Sequence, residues 1–356
     1  MLYFWFLPLL TVVHSKSLPS SGSLCEKGCD CQGEFKFVNC SNALFSHIPS
    51  NVFPFTEHLD LSQNQLTDLP TGAFRALRRL RVLLLNDNNI SAVATGTFSP
   101  LESLLRLDLS RNHISYLREG FSMGLGSLKE LLLGENRLRS LDHGSFLHLD
   151  SLLRLNLSGN AIGIIKVRAF GHMTLLRQLH LEDNKLSSLG NGVFSMLKSL
   201  EVLNLQGNRI NSTEVGVFTP LTSLALLNLA HNHLSTIRFK TFLSIHTYST
   251  HILLADNPWS CDCDLQRVFR KLRSIQRLFL DDYYNLSCRE PPELQGYRLT
   301  EVDAELCIAE TVTVLIITVT VLITVVAAIV MAEKTRKKRT GKQWCEDTNV
   351  AYQYQS

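Results

Sequence analysis

The feature that most constrains this chain is an asparagine that returns every 24 residues. Asn64, Asn88, Asn112, Asn136, Asn160, Asn184, Asn208 and Asn232 hold that spacing, and a last copy, Asn257, follows after 25. Around them, from Leu59 to Leu234, runs the pattern L-x-x-L-x-L-x-x-N-x-L. A self-similar period of this length specifies a solenoid, in which each turn buries its apolar side against its neighbours. Within one turn Leu152, Leu155 and Leu157 are spaced so that a strand alternates and buries one side. The asparagine is expected to turn inward and pair backbone groups that a tight turn leaves open.

A second frame runs beside the first. Phe74, Phe98, Phe146, Phe170, Phe194, Phe218 and Phe242 each fall ten residues after their asparagine, which implies an aromatic column under the convex side. One turn departs: Phe121 lies nine residues after Asn112 and seven, rather than six, before Leu128. The two irregularities cancel, so a local kink is expected there without loss of frame. These residues resemble the extracellular leucine-rich-repeat family. The resemblance implies an α/β solenoid, a leucine-rich-repeat horseshoe with a parallel concave sheet, disulfide-capped at both ends, plus a single transmembrane helix.

The ends of the chain fit an exported protein. Leu2 to Val13 is apolar with no charge before Lys16, which suits a signal peptide over 1–15, although a basic start is missing. Of nine cysteines, Cys25, Cys29, Cys31 and Cys40 precede the repeats, and Cys261, Cys263, Cys288 and Cys307 follow them. Even-numbered clusters in an oxidising compartment form disulfide frameworks. Zinc is the competing reading, because C-x-C pairs also occur in metal sites, but the leader and the sequons favour disulfides and no metal is expected. A solenoid exposes an apolar cross-section at each end, so both ends need lids. Four cysteines permit three pairings. The resemblance to capped repeat proteins implies Cys25 with Cys31, Cys29 with Cys40, Cys261 with Cys288 and Cys263 with Cys307. The expected organisation is an N-terminal cap over 25–56, eight to nine repeats over 57–256 and a C-terminal cap over 257–307.

Sequons place N-glycans at Asn89, Asn156, Asn211 and Asn285, with Asn39 doubtful because Cys40 is its middle residue. Asn156 lies between Leu155 and Leu157 and so points off the concave sheet, where a glycan would obstruct the middle of that face. Residues between the buried leucines form two columns on that face. Val82, Leu84 and Leu132 are apolar there, with Arg106, Asp108, Glu130 and Arg154 close by. An apolar centre among charges is the composition of a protein-binding patch, set against the ordinary occurrence of scattered exposed leucines. Arg270, Arg273 and Arg277 are expected to form a basic ridge on a helix from Asp264 to about Leu280.

An uncharged run over 311–332 is long enough to cross a bilayer, and Lys334, Arg336, Lys337, Lys338, Arg339 and Lys342 after it mark 333–356 as the cytoplasmic tail. The expected location is therefore the plasma membrane, single-pass type I, with the ectodomain outside. Thr320, Thr324, Ala328 and Ala332 place small residues on one helix face, where a homodimer or a channel partner could approach.

Other function classes find little support. H-E-x-x-H, G-x-S-x-G and P-loop patterns are missing, so no enzyme, no catalytic residue and no cofactor are expected. Residues 1–332 hold 29 basic and 29 acidic side chains, which argues against nucleic acid. The layout is similar to that of trophoblast-glycoprotein-type proteins. It implies a cell-surface glycoprotein that binds an extracellular or membrane protein ligand in adhesion, co-reception or modulation of signalling. The alternative is the family of leucine-rich-repeat potassium-channel auxiliary subunits, which implies action through the membrane helix and the basic juxtamembrane tail.

Overall fold

The computed structural model describes residues 24–302 and 304–353, with side chains for 24–302 and 312–338. The expected leader over 1–15 lies outside these residues, as does the side chain of Cys307. Twelve strands form one sheet whose spatial order is the chain order. They are β1 (Asp30–Gln32), β2 (Phe37–Asn39), β3 (His58–Asp60), β4 (Val82–Leu84), β5 (Arg106–Asp108) and β6 (Glu130–Leu132). There follow β7 (Arg154–Asn156), β8 (Gln178–His180), β9 (Val202–Asn204), β10 (Leu226–Asn228), β11 (Thr250–Leu253) and β12 (Leu278–Leu280). β1 is antiparallel to β2, and each later neighbour is parallel. Registers advance by one whole repeat, Leu83 opposite Leu107 and Leu107 opposite Leu131, which lines up identical positions into columns.

Stacking accounts for the core. Leu80, Leu83 and Leu85 of one coil are fully buried, as are Leu104, Leu107 and Leu109 of the next. Each such side chain contributes on the order of 2 kcal/mol of burial. The frame asparagines solve the polar half of the problem. Asn112 Nδ2 donates to Leu109 O of its own coil at 3.1 Å and to Leu85 O of the previous coil at 2.9 Å. Its Oδ1 accepts the N–H of Ile90 at 3.0 Å. The next asparagine repeats the arrangement, so Leu109 O also accepts from Asn136 Nδ2 at 2.9 Å. Each inner carbonyl thus takes donors from two successive coils, and the ladder is continuous across them.

On the convex side the phenylalanines form the column that their spacing implies. Phe74 and Phe98 stack at 6.1 Å, Phe146 and Phe170 at 6.3 Å, and Phe170 and Phe194 at 6.5 Å. The early Phe121 turns its ring instead, meeting Phe98 edge-on at 5.7 Å and 85°. The compensating extra residue falls near Gly124, whose φ of +87° places its α-carbon against the backbone of Ser99. The short outer ladder comes in separate pairs, Asp68–Leu69 with Ala92–Val93, Ser140–Leu141 with Ile164–Ile165 and Ser188–Leu189 with Ser212–Thr213, and the kinked coil joins none of them. The concave sheet runs through the kinked coil without a break.

Both ends are closed. Disulfides join Cys25 to Cys31 and Cys29 to Cys40 at the N-terminus, and Cys261 to Cys288 at the C-terminus. Cys263 is also disulfide-bonded. Helices α1 (Phe239–Leu243) and α2 (Cys263–Arg273) lie at the C-terminal end of the repeats. Buried Trp259 packs edge-on against Phe269 of α2 at 5.5 Å, and Asp262 caps that helix by accepting the Leu265 N–H at 2.7 Å. The sequence expectation of a helix reaching about Leu280 fails here. α2 stops at Arg273, and Arg277 leaves the expected ridge to donate to Leu243 O and Ile245 O, both at 3.1 Å. The Leu243 carbonyl belongs to the open last turn of the short helix α1, and the Ile245 carbonyl lies two residues beyond it.

A helix runs without a break over Ala304–Gln353, and its stretch Val312–Lys338 is long and apolar enough to cross a membrane. Thr318, Thr320 and Thr324 donate to the carbonyls of Leu315, Ile317 and Val321 at 2.8 to 2.9 Å, so their hydroxyls are satisfied within the helix.

Candidate functional site

In every repeat strand the middle residue is buried and the two flanking residues face the concave side. Parallel register makes these flanks two tracks. The first carries Val82, Arg106, Glu130 and Arg154 on consecutive strands, and the second Leu84, Asp108, Leu132 and Asn156. The residues singled out from the sequence are therefore neighbours on four adjacent strands.

Their charges are already engaged with one another. Glu130 accepts from Arg106 at 3.2 Å on one side and from Arg154 at 3.1 Å on the other. Both arginines are about half exposed, so the triad is a surface arrangement whose worth to stability is small. Its effect is to fix a positive–negative–positive row. Asp108 serves differently: its Oδ1 accepts the Ser110 N–H at 2.9 Å, and its Oδ2 stands 3.9 Å from Arg106. Asp60, Asn156, Asn204 and Asn228 accept the N–H two residues on in the same way. Half of this track thus closes the strand ends and has only its remaining polar atoms for a ligand.

The caps add what sequence reasoning missed. β2 pairs with β3 so that Phe37, 38% exposed, extends the first track beside His58, and the rings stack at 4.2 Å. Burial holds the His58 imidazole below its ordinary value of 6.5, with the positive charge of Arg106 acting the same way and Asp60 opposing. His58, its charged form disfavoured by burial, is part of an aromatic and apolar surface continuing through Val82 and Leu84. At the far end Phe279, 44% exposed, stacks on His251 at 5.1 Å, and Leu226 and Val202 continue that track inward. The signal for Phe37 was the x-V-x-C of Phe37 to Cys40, which is a degenerate copy of the repeat strand.

Along the edge of the face, the residue before each frame asparagine is left-handed, with φ of +56° at Asp87, +51° at Arg111 and +53° at Glu135. Arg111 grips Asp87, with Nη2 to Oδ2 at 2.7 Å, and reaches Glu135 at 3.9 Å. The guanidinium beside it holds the Asp87 carboxyl below the usual carboxylate range.

The leucine rich repeat model matches residues 40–90, 56–114, 78–138, 126–186 and 175–234, together more than half of the chain. The chain belongs to the leucine-rich repeat family. Human leucine-rich repeat-containing protein 3B is 42% identical over 87 residues, which are 24% of this chain and 34% of that protein. Leucine-rich repeat-containing G-protein coupled receptor 5 of Bos taurus is 35% identical over 102 residues, 27% of this chain and 11% of the receptor. The matched stretches thus cover no more than 34% of these curated relatives. Among solved structures, human 5T4 (Wnt-activated inhibitory factor 1, trophoblast glycoprotein) aligns with a TM-score of 0.60 and 26% identity over 78% of this chain and 96% of that one. A chain of the octameric complex of Latrophilin 3, Unc5D and the leucine-rich repeat protein FLRT2 aligns at 0.57 and 24% identity, over 78% and 97%, and shares the fold.

Proposed function

We propose that this leucine-rich repeat protein is a type I single-pass glycoprotein of the plasma membrane that docks an extracellular or membrane protein on the N-terminal half of its concave face. The observation that carries the reading is the juxtaposition of Phe37, Val82 and Leu84 with the Arg106–Glu130–Arg154 row. An apolar centre supplies desolvation energy, and a fixed row of charges beside it supplies orientation and steering. The organisation that goes with it is a leader over 1–15, caps over 25–56 and 257–307, repeats between them, a membrane span within 311–332 and a tail over 333–356. The basic residues that follow the span support the orientation with the repeats outside. Human 5T4, named as a glycoprotein and a Wnt-activated inhibitory factor, supports a surface protein that modulates a signalling ligand.

Proximity labelling on living cells expressing the full chain tests the reading. The leading partner is expected to persist when 311–332 is replaced by an unrelated spanning helix, and to disappear with Arg106→Glu. A multi-span channel that is lost with the helix and retained with Arg106→Glu would sink this reading and establish the auxiliary-subunit alternative.

A further inference from the structure

We propose that Asn156 carries an N-linked glycan that stands on the concave sheet and divides it, confining protein docking to the N-terminal part. The glycan itself is independent of the docking reading, and only its confining role rests on it.

The asparagines of the second concave track share one local geometry. Oδ1 accepts the N–H two residues on, at 2.9 Å in Asn156, 3.2 Å in Asn204 and 3.0 Å in Asn228, which turns the amide nitrogen away from its own loop. What that nitrogen meets depends on the preceding coil, 22 residues earlier. For Asn228 it meets Gln206, donating to Oε1 at 2.9 Å, and Asn228 is 7% exposed. For Asn156 the same place is Gly134, where a methyl group would stand 3.4 Å from Oδ1 and 3.5 Å from Nδ2. Ser158 Oγ would stand 3.2 Å from the same methyl group, so buried Gly134 is covered by Asn156 and Ser158 and offers the amide no acceptor. Asn156 is half-buried rather than buried, and among the described residues its Nδ2 has no hydrogen-bond acceptor. The sequence around the two differs in step. Asn156-Leu157-Ser158 is a sequon, while Asn228-Leu229-Ala230 is not. The position that can be glycosylated is the one whose neighbour leaves the amide nitrogen without an acceptor.

The covalent step is a glycosyl transfer. Asn156 Nδ2 forms a bond to the anomeric carbon of the first sugar, and the bond from that carbon to an oxygen of a lipid-linked pyrophosphate donor breaks. The nitrogen gives up one proton, and the lipid pyrophosphate leaves with the electron pair. Transfer occurs on the unfolded chain, so the fold decides only whether the product fits, and in the fold Asn156 is partly exposed with its Nδ2 unused. Ser158 Oγ donates to Asn156 Oδ1 at 2.7 Å, a bond that does not use Nδ2.

Asn156 lies directly between Leu132 and His180 in the sheet register. Strands are about 4.8 Å apart, so a pyranose ring with its branches covers both neighbours. Leu84 sits three strands away, about 14 Å, and stays open. Asn89, Asn211 and Asn285 are exposed and lie outside the sheet strands, so their glycans leave this surface free.

The first test is peptide mass spectrometry of the full chain recovered from the surface of mammalian cells, after enzymatic glycan release in heavy-oxygen water. Asn156 is expected to be converted to labelled aspartate in most copies, and an unmodified Asn156 in the surface population overturns the proposal. The second is hydroxyl-radical footprinting of the same material. Asn156→Gln is expected to raise oxidation of Leu132 and His180 at least threefold while Phe37 and Val82 are unchanged, and equal rates overturn the division of the face. Ser158→Ala removes the sequon with Asn156 kept in place, and serves if the glutamine variant is retained in the cell. Neither readout needs a ligand, so both stand whatever becomes of the docking reading. Confinement is read separately by proximity labelling: Leu84→Asp is expected to lose the partner and Leu226→Asp to keep it, and the reverse pattern or loss in both overturns it.

Discussion

The α-carbon of Gly124 lies against the backbone of Ser99 in the preceding coil, so closely that a methyl group on it would stand 2.4 Å from the Ser99 carbonyl oxygen. This is where the nine-residue spacing before Phe121 is repaid, and the position combines a left-handed backbone with backbone on the far side. Gly124→Ala is expected to destabilise the solenoid by about 3 kcal/mol, through strain that no side-chain rotation relieves. Gly72→Ala has a similar φ of +77° but nothing within 4 Å. It should cost only about 1 kcal/mol for the backbone conformation. Thermal unfolding of the detergent-solubilised full chain compares them, and equal shifts would refute the close-approach account.

The asparagine ladder makes a graded prediction. In Asn136→Ala the carbonyls of Leu109 and Leu133 each keep one donor, from Asn112 and Asn160, but the Ile114 N–H loses its acceptor. The expected loss is about 2 kcal/mol, mostly from that orphaned group and the small cavity. Asn136→Asp keeps the acceptor and still should be worse at neutral pH, because a buried carboxylate would face the carbonyl oxygens that Nδ2 now binds. Unfolding midpoints in urea order the variants, and an aspartate milder than alanine would contradict the ladder.

Acid should weaken the N-terminal end through His58. Its folded pKa lies below the ordinary value of 6.5, so the unfolded chain binds the proton more readily. The contribution is present above about 6.5 and is lost as pH falls through the folded value. Asp87 acts in the same direction but lower, since its depressed carboxyl loses its contribution only below the usual carboxylate range. Stability measured from pH 7 to pH 5 should therefore fall more steeply for the native chain than for His58→Gln, and parallel curves would exclude the role.

Arg277 is predicted to matter more than the exposed arginines on α2. Arg277→Ala removes two charged hydrogen bonds to Leu243 O and Ile245 O and should cost about 1.5–3 kcal/mol. Arg270→Ala, at an exposed position, should stay within about 0.5 kcal/mol. Thermal shifts of the two variants decide it, with equal values restoring the basic-ridge reading.

The sequence by itself determined the architecture. Asn112 and its eight counterparts, with the phenylalanines behind them, fix the period, the parallel sheet and the position of the kink. They can do so because each coil touches only its neighbours, and stacking identical coils leaves one register that buries every leucine. The apolar segment after the repeats was equally legible, since length and absence of charge suffice. What the tertiary structure decided is which surface groups are free. Asp108 reads as a ligand-facing carboxylate but its Oδ1 is held by the Ser110 N–H, Arg277 reads as a ridge residue but closes a helix 32 to 34 residues earlier, and Phe37 joins the concave face only because β2 pairs with β3. Gly134 offers the Asn156 amide no acceptor, where Gln206 binds that of Asn228. Each of these depends on a contact across coils or between cap and coil, which a periodic pattern averages away and packing alone makes specific.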